Sequence, residues 1–328
     1  MFKKISLFLI SGLIILLPFT GSAQNSTNQE SNSTSGYNTQ RIEEEEKLSL
    51  PADKATEVWN FLVTHFVQDQ KYLISVDPLL SATSSTEFFI DTYFDTPDLQ
   101  MLAKSSGIRY RQRSNLTNKS DVKDGRELVQ IKINNISENK LQRAEYKFKV
   151  TVPNNSGEYR EEPPILALID STQLDDFKSR VASLGLDANK LKKILTLEDT
   201  RQRIYIKRAD QTIISLSLDH VQATVWGKKT EFWEIEPEIN EVAFTDTDET
   251  GRKYLQELNN KFIQKIKDEL SYIQSDLKPK YNKTFEGLEK QLPFWKFYLK
   301  HQQLIYLSAI ILLIILIGIC LWFFRERN

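Results

Sequence analysis

Polar and apolar side chains alternate strictly in several segments in the middle of the chain. Between positions 143 and 150, every odd position is charged and every even position is apolar, although Ala144 is only weakly so. Because a β-strand sends successive side chains to opposite faces, this segment is predicted to be a strand with one charged and one apolar face. The same spacing of two relates Arg109, Arg111 and Arg113, Gln130 and Lys132, Arg201 and Arg203, Ser215, Ser217 and Asp219, and Glu234 and Glu236.

Three helices are predicted between and beside these strands. Residues 52–67 follow Pro51 and carry apolar side chains at helical spacing. Residues 170–184 end before Gly185, which is a typical helix stop. Residues 248–272 form a third stretch with apolar residues on one helical face.

The large apolar side chains of the alternating strands need a cover, which these helices can provide. Covered outer faces would leave the charged faces pointing inward, and a closed barrel of about eight strands has a lumen that can hold one small ligand. We therefore expect an α+β fold, an eight-stranded antiparallel closed β-barrel or tunnel with a charged lumen and flanking helices. An antiparallel sheet with one solvated face is the alternative.

The first forty residues are expected to lie outside the fold. Residues 1–23 begin with Lys3 and Lys4, continue with an apolar core and end with small residues. This order is typical of a secretory signal peptide, with an uncleaved membrane anchor as the alternative. Residues 24–40 consist mainly of Ser, Asn, Thr, Gln and Gly, a composition that predicts a flexible linker.

A second apolar run, 304–324, contains no charged residue and is long enough for a transmembrane helix. Aromatic residues flank it on both sides, as they do at membrane interfaces. Arg325 and Arg327 follow, so residues 325–328 are predicted to be a cytoplasmic tail. Residues 289–303 would then be a juxtamembrane segment. The domain at 41–288 is expected outside the cytoplasm, in the periplasm or extracellular space, on a single-pass membrane protein.

Composition restricts the chemistry of this domain. The net charge of −1 gives no bulk electrostatic argument for a nucleic-acid partner. The one cysteine, Cys320, lies in the predicted span, and the three histidines are scattered. A disulfide, a cysteine zinc site and a Ser-His-Asp apparatus are therefore poorly supplied, which leaves carboxylates, lysines and arginines to carry the chemistry.

Two segments concentrate such residues. Glu43, Glu45 and Lys47 share one face of a predicted strand, although a solvated acidic run would have the same composition. After a turn at Asp95 to Leu99, the strand with Arg109, Arg111 and Arg113 begins. Its arginines are spaced by about 6–7 Å, close to the spacing of phosphates in a chain. Guanidinium groups bind phosphate oxygens in pairs.

With these motifs in this order, the sequence resembles the CYTH superfamily of triphosphate tunnel metalloenzymes and the related VTC-type polyphosphate polymerase domains. The resemblance spans 41–288. Its motifs are Glu43-x-Glu45-x-Lys47, the turn at Tyr93 to Asp98, the strand Ile108-Arg109-Tyr110-Arg111, Lys132, Arg143/Glu145/Lys147, Arg201/Arg203, Asp219, Glu234-x-Glu236 and Tyr281-Asn282-Lys283.

The resemblance implies an eight-stranded tunnel that holds a tri- or polyphosphate with Mg²⁺ or Mn²⁺. The phosphate-binding residues that it implies are Lys47, Arg109, Arg111, Lys132, Arg143, Arg201, Arg203 and Lys283. The metal-binding residues that it implies are Glu43, Glu45, Asp219, Glu234 and Glu236, with Glu234, Glu236 and Lys47 catalytic. Hard divalent cations prefer such oxygen ligands.

Two positions depart from the family pattern. Asn282 replaces the usual serine before the last lysine, and Lys147 stands where an acidic residue is common. The expected function is metal-dependent hydrolysis of inorganic triphosphate, polyphosphate or an organic triphosphate. The alternatives are a non-catalytic module that binds polyphosphate or another anion at the cell envelope, and polyphosphate synthesis.

Overall fold

The computed structural model describes residues 41–114, 127–137, 140–151 and 164–326, some of them by their backbone alone. The predicted signal peptide (1–23) and linker (24–40) lie outside these ranges. The strands are β1 (Arg41–Glu45), β2 (Leu48–Leu50), β3 (Leu80–Asp95), β4 (Gly107–Ser114), β5 (Leu128–Ser137), β6 (Lys140–Lys149), β7 (Lys192–Arg208), β8 (Gln211–Val225), β9 (Lys228–Ile239) and β10 (Gln274–Ser275).

All paired strands in the described part of the chain run antiparallel in one sheet. Their order is β1-β6-β5-β4-β3-β7-β8-β9-β2-β10. The alternating segments predicted from the sequence fall on β4 to β9, so the two-residue period identified these strands correctly.

The sheet differs from the expected eight-stranded closed barrel in strand number and in closure. Nine strands and the two-residue β10 form the described sheet. β1 meets β9 at one residue pair, Glu45 opposite Glu238, so no continuous ladder closes the sheet. The cause is a two-residue break that divides the first strand into β1, paired with β6, and β2, paired with β9. β2 continues the register of the Glu45–Glu238 pair along β9, since Leu48 of β2 lies opposite Ile235.

The helices are α1 (Ala55–Leu62), α2 (Lys71–Val76), α3 (Gln100–Ala103), α4 (Ile165–Leu168), α5 (Leu174–Ser183), α6 (Glu241–Thr245), α7 (Glu249–Glu269), α8 (Lys280–Glu289) and α9 (Trp295–Glu326). The three predicted helices are confirmed with shifted ends. The first is α1 together with a 3₁₀ turn before it and a π-helical segment, Val63–Gln68, after it. The other two are α5 and α7, and the Asp248 side chain caps α7 by accepting from the Gly251 N–H.

One helical layer covers the outer face of β7, β8 and β9. Ile204, Leu218 and Ile235 point to this face and are fully buried with Leu62 of α1 and Phe262 of α7. Each such side chain stabilises the fold by about 1.5–3 kcal/mol relative to leaving it in water. This layer fixes which face of each strand points outward.

A second layer covers the outer face of β4, β5 and β6. Tyr110, Ile131 and Phe148 are buried there with Phe177 and Val181 of α5. The Phe148 and Phe177 rings meet edge to face at 5.2 Å. Because both apolar faces are covered from outside, the charged faces of these strands point into one shared interior.

The inner face changes from charged to apolar along the strands, and α8 covers the apolar part. On β7, Leu197 shares a face with Asp199 and Arg201, but it packs in a cluster with Tyr281 and Phe285 of α8. Tyr281 stacks on the Tyr93 ring at 4.7 Å. The first turn of α8 is thereby held beside the charged part of the interior.

The chain ends in the long helix α9, which includes most of the predicted juxtamembrane segment and the apolar run 304–324. Within the described residues it is the one helix long and apolar enough to cross a membrane, and its apolar part is not buried in the protein. Trp295 attaches its first turn to the domain by stacking on Phe285 at 4.6 Å. His301 interrupts the helical backbone (φ −113°, ψ 16°) just before the apolar run.

Candidate active site

The charged faces enclose a cavity of about 170 Å³. The predicted site residues that line it are Lys47, Arg109, Arg111, Lys132, Arg143, Arg201, Arg203 and Glu236. Asp219, Glu234 and Lys283 lie behind this lining and contact residues of it. Glu43 and Glu45 belong to β1, where Glu43 pairs with Arg143 and Glu45 with Leu141, but their side chains lie outside the described part.

Three carboxylates form an acidic cluster on the wall made by β8 and β9. Asp219 lies opposite Glu234 in the antiparallel register, and Glu236 follows two positions later on the same face. One carboxylate oxygen from each lies within 4.8 Å of the other two. All three residues are buried, so their charges are held away from bulk water.

Lys47 reaches this cluster from the break between β1 and β2. It is 1 % exposed, and its Nζ donates to Glu234 at 3.0 Å and also to Glu236. Because β2 pairs with β9, the backbone before β2 runs alongside the two glutamates. The period of two predicted that Glu43, Glu45 and Lys47 share one strand face. Lys47 instead lies in the break between β1 and β2, from which it reaches Glu234 and Glu236.

Lys280, which sequence reasoning missed, lies among four carboxylates. It is the first residue of α8 and is 6 % exposed. Its Nζ lies 2.7 Å from Asp199, 3.5 Å from Glu236 and 3.7 Å from Glu234, and it also donates to Asp219. A helix start has no alternating pattern, and the one available signal was its position directly before the Tyr281-Asn282-Lys283 motif.

Arg201 completes the cationic side of the acidic cluster. Its Nε donates to Asp219 at 2.7 Å, and its Nη2 donates to Asp219 and Glu236. Burial acts to raise the pKa of the Glu236 carboxyl, but the charges of Lys280, Lys47 and Arg201 outweigh it and hold this pKa well below its usual range. Glu236 is therefore ionised at neutral pH.

Asp199 is a second residue that the sequence analysis did not select, although it shares the face of Arg201 on β7. It is fully buried, and burial together with the charge of Asp219 raises its pKa to about 6, against the opposing effect of Lys280. Among the described residues its Oδ1 has no hydrogen-bond partner. The acidic side of the site thus contains a buried carboxylate oxygen whose hydrogen-bonding capacity is not used by the described residues.

The opposite wall, made by β4, β5 and β6, is dominated by cations. Arg109 donates to Asp91 of β3 at 2.9 Å, and Arg111 donates to the same carboxylate twice, at 2.6 Å. Although burial acts to raise it, the pKa of Asp91 is held far below its usual range by the two guanidinium groups. The Arg111 guanidinium also lies 4.1 Å from the centre of the Phe89 ring.

Two lysines of this wall meet at Glu145. Lys132 lies 3.5 Å and Lys147 3.0 Å from its carboxylate, and Lys147 also contacts Glu241 at 3.4 Å. Arg143 donates from Nε to Asn134 at 2.9 Å. Lys147, the cation at a position where an acidic residue is common in the family, therefore lies between two carboxylates.

The Tyr281-Asn282-Lys283 motif lies in the first turn of α8, and its Lys283 side chain points to carboxylates outside the cavity lining. Lys283 Nζ contacts Glu234 at 2.7 Å and Asp276 at 2.9 Å from behind the acidic cluster. The Asn282 amide donates to the Leu102 carbonyl at 3.0 Å, and neither residue lines the cavity. Lys280, one turn earlier, lines it instead.

The acidic cluster fits a divalent cation. Hard cations such as Mg²⁺ take oxygen ligands and commonly use one or two carboxylates, with the remaining positions filled by substrate phosphates and water. Asp219, Glu234 and Glu236 supply such oxygens at mutual distances within 4.8 Å, beside a cavity whose lining includes nine lysines and arginines. These residues could hold a divalent cation.

Solved structures with a similar fold share little sequence with this chain. The Hippeastrum protein HpAC1, described as having a dominant triphosphatase activity, is 16 % identical over 75 % of this chain and 96 % of its own, with a TM-score of 0.42. PH1819 of Pyrococcus horikoshii OT3 is 15 % identical over 76 % and 98 %, with a TM-score of 0.37. The S. pombe RNA triphosphatase Pct1 is 12 % identical over 73 % and 85 %, with a TM-score of 0.35.

None of the curated proteins matches the sequence. The family model described as the CYTH domain matches residues 61–272, well over half of the 328 residues. This match covers the strands β3 to β9, on which the acidic cluster and most of the cationic cavity lining lie. The chain therefore belongs to the CYTH domain family.

Proposed function

We propose that this CYTH domain hydrolyses the terminal phosphate of a triphosphate or short polyphosphate with the help of a divalent cation. The observation that carries the proposal is the acidic cluster of Asp219, Glu234 and Glu236 beside the cation-lined cavity. Phosphoryl transfer depends mainly on positioning and on neutralising the phosphate charges. The lysines and arginines that line the cavity can position and neutralise the phosphates, and the acidic cluster can hold the cation.

The size of the cavity favours a phosphate chain over a whole nucleotide. Its volume of about 170 Å³ is smaller than the roughly 300–1,000 Å³ of ordinary ligand pockets. Inorganic tripolyphosphate matches this volume. The phosphate tail of an organic triphosphate also matches it when the rest of that molecule stays outside the cavity. Arg109, Arg111, Arg201 and Arg203 would hold the phosphate oxygens, since guanidinium forks bind them in pairs.

Asp219, Glu234 and Glu236 would hold Mg²⁺ or Mn²⁺, joined by Glu43 and Glu45 as the family resemblance implies. A divalent cation in this position supplies charge neutralisation of the phosphate oxygens. The ionised Glu236 can accept a hydrogen bond from a water and orient it towards the terminal phosphorus. Lys47 and Lys280 would exchange their carboxylate partners for phosphate oxygens and neutralise charge on the leaving group.

A non-catalytic anion-binding role is the second candidate, and one observation favours it. The carboxylates of the acidic cluster already have ammonium or guanidinium partners in Lys47, Lys280 and Arg201. A metal ion must displace these contacts before it can bind, whereas the cavity lining offers an anion nine lysines and arginines against three glutamates. Polyphosphate synthesis has no such observation in its support.

We further propose that α9 anchors the domain to a membrane as a single span, with the domain outside the cytoplasm and the C-terminus inside. The support for the span is the length and apolar character of α9, and the support for the orientation is the signal-peptide-like pattern of residues 1–23. The natural substrate would then be an extracytoplasmic phosphate compound. Protease protection in intact cells tests this orientation: an inaccessible domain and an accessible C-terminus would contradict it.

The activity is tested on the full chain in detergent with tripolyphosphate and added Mg²⁺ or Mn²⁺. We expect metal-dependent release of phosphate, and we expect Glu236→Gln to abolish it while tripolyphosphate binding, measured by calorimetry, persists. Glu231→Gln, an exposed change on the same strand, is the matched control. Tight binding with no phosphate release from any tri- or polyphosphate would reject hydrolysis and favour the binding module.

A further inference from the structure

The exposed aromatic side chains of the described residues are concentrated at one end of the molecule. Trp226 and Phe297 are 58 % exposed and Phe294 is 79 % exposed. The other two, Tyr306 and Trp322, lie on the apolar part of α9. Exposed aromatic residues gathered in one place mark a contact surface, and here they adjoin the helix that is long enough to cross a membrane.

Trp226 occupies a backbone conformation that does not favour a large side chain. It forms the two-residue turn between β8 and β9 with Gly227, and both residues have positive φ, 48° and 74°. Such a turn prefers Asn, Asp or Gly at its first position. A bulky residue held in the left-handed region is uncommon and points to a role outside the turn itself.

The other end of β8 carries a turn of the same kind without an aromatic residue. Ala209 and Asp210 connect β7 to β8 with φ values of 47° and 68°. Since β8 has 15 residues, the two turns are separated by about 45–50 Å. The geometry of the hairpin therefore does not require a tryptophan, which occurs only at the end next to α9.

Contacts join the Trp226 turn to the approach of α9. The Trp226 ring meets Tyr298 edge to face at 4.8 Å, and the Gln291 side chain donates to the Lys229 carbonyl at 2.7 Å. Exposed lysines lie in the same two segments, namely Lys228, Lys229, Lys296 and Lys300. Two of them also pair with acidic residues, Lys229 with Glu231 and Lys300 with Asp98.

We propose that the surface formed by Trp226, Phe294 and Phe297 rests on the lipid bilayer that α9 enters. Tryptophan combines an apolar ring with a polar N–H and prefers the membrane–water interface. The ammonium groups of the lysines beside it can pair with the phosphates of lipid headgroups. The β8–β9 turn is then a second membrane contact, which fixes the orientation of the domain relative to the bilayer. This proposal rests on the proposed membrane span of α9 and is independent of the reaction.

The test uses the full chain with Cys320→Ser, reconstituted in phosphatidylcholine–phosphatidylglycerol vesicles that contain a nitroxide-labelled lipid. A fluorophore is attached at Lys228→Cys, directly after the Trp226 turn, and in a matched control at Gln211→Cys, directly after the Ala209 turn. We expect the lipid nitroxide to quench the label at position 228 several-fold more than the label at 211. Aqueous iodide should show the opposite preference.

Adding Trp226→Asn to the label at position 228 separates docking from folding. Asn suits the first position of this turn, so the melting temperature should be retained or raised while lipid quenching falls. Equal quenching of both labels would reject the contact. The proposal is also rejected if the protection of position 228 from iodide disappears when the protein is diluted in lipid. Such a result would show that a second copy of the chain, and not the bilayer, covers this surface.

Discussion

The acidic wall of β8 and β9 and the cationic wall of β4 to β6 neutralise their charges in different ways. On the acidic wall, the partners of the carboxylates include Lys47 from the strand break and Lys280 from α8. On the cationic wall, the sheet itself supplies Asp91 from β3 and Glu145 from β6, and Lys147 also contacts Glu241 of α6. Helix α8 and the strand break thus contribute to the acidic wall, whereas Arg109 and Arg111 of the cationic wall pair with Asp91 inside the sheet.

This difference indicates how the interior could exchange partners on binding. Buried charges are stable only when they are paired and hydrogen-bonded. A phosphate chain with a divalent cation brings both signs at once, so the cation can replace Lys47 and Lys280 at the carboxylates while these lysines move to phosphate oxygens. The sheet-borne pairs of Arg109 and Arg111 with Asp91 would persist and keep the site in shape.

After that of Glu236→Gln, the largest expected effect is that of Glu234→Gln, which changes the carboxylate opposite Asp219 in the acidic wall. Glu234 is fully buried and contacts Lys47 at 3.0 Å and Lys283 at 2.7 Å. We expect turnover to fall by about 10²–10³-fold, with weaker Mn²⁺ binding by calorimetry. Glu238→Gln, four positions further on the same strand face and outside the acidic cluster, is the control and should have a much smaller effect. Equal losses in both variants would contradict a specific acidic cluster.

A smaller effect is expected from Lys280→Met, which removes the cation that the helix supplies. Breaking a buried pair costs about 3–5 kcal/mol, so the melting temperature of the metal-free protein should fall by roughly 10 °C. Added Mn²⁺ should raise the melting temperature of the variant more than that of the wild type, because in the variant Mn²⁺ supplies the positive charge that Lys280 supplies in the wild type.

Lys283→Met is the matched control for Lys280→Met on the same helix. Lys283 pairs with Glu234 at 2.7 Å and Asp276 at 2.9 Å but does not line the cavity. Its loss should lower the melting temperature without enlarging the stabilisation by Mn²⁺. An equal enlargement in both variants would show that Lys280 has no special place in the acidic wall.

The same contrast explains which parts of the fold could be predicted. On β4 and β6 one face is apolar and the other charged, so the period of two identified the strands and their inner residues. Closure depended on the pairing of β1 and β2 with two different neighbours, β6 and β9. No local pattern records that pairing, and the expected eight-stranded closure was wrong for this reason.

Site residues were missed where the alternation is absent. Asp91 lies on β3, where residues 88–95 are buried on both faces, so apolar residues occupy odd and even positions alike. Lys280 lies at a helix start, and its proximity to Asp199 is created by packing of α8 on the sheet. Both residues act through tertiary contacts between distant segments, which a two-residue period cannot report.

The smallest expected effect is the pH dependence of Asp199→Asn. The Asp199 pKa is raised by burial and by Asp219 from its ordinary 3.8 to about 6. A raised pKa contributes stability that is complete below pH 3.8 and lost as the pH rises through about 6. The free energy of unfolding of the wild type relative to the variant should therefore be larger at pH 4 than at pH 7, by on the order of 2 kcal/mol.

Asp276→Asn is the control with the opposite sign. Burial acts to raise the pKa of Asp276, but Lys283 and Lys278 lower it on balance, so its stabilisation is complete above pH 3.8 and is lost as the pH falls below that value. Melting temperatures of the full chain, without metal and between pH 3 and 7, measure both differences. Parallel pH profiles for the two variants would mean that Asp199 is ionised like an ordinary carboxylate. The acidic wall would then already be balanced by Lys280 and the other cations, and binding a divalent cation would give it no further advantage.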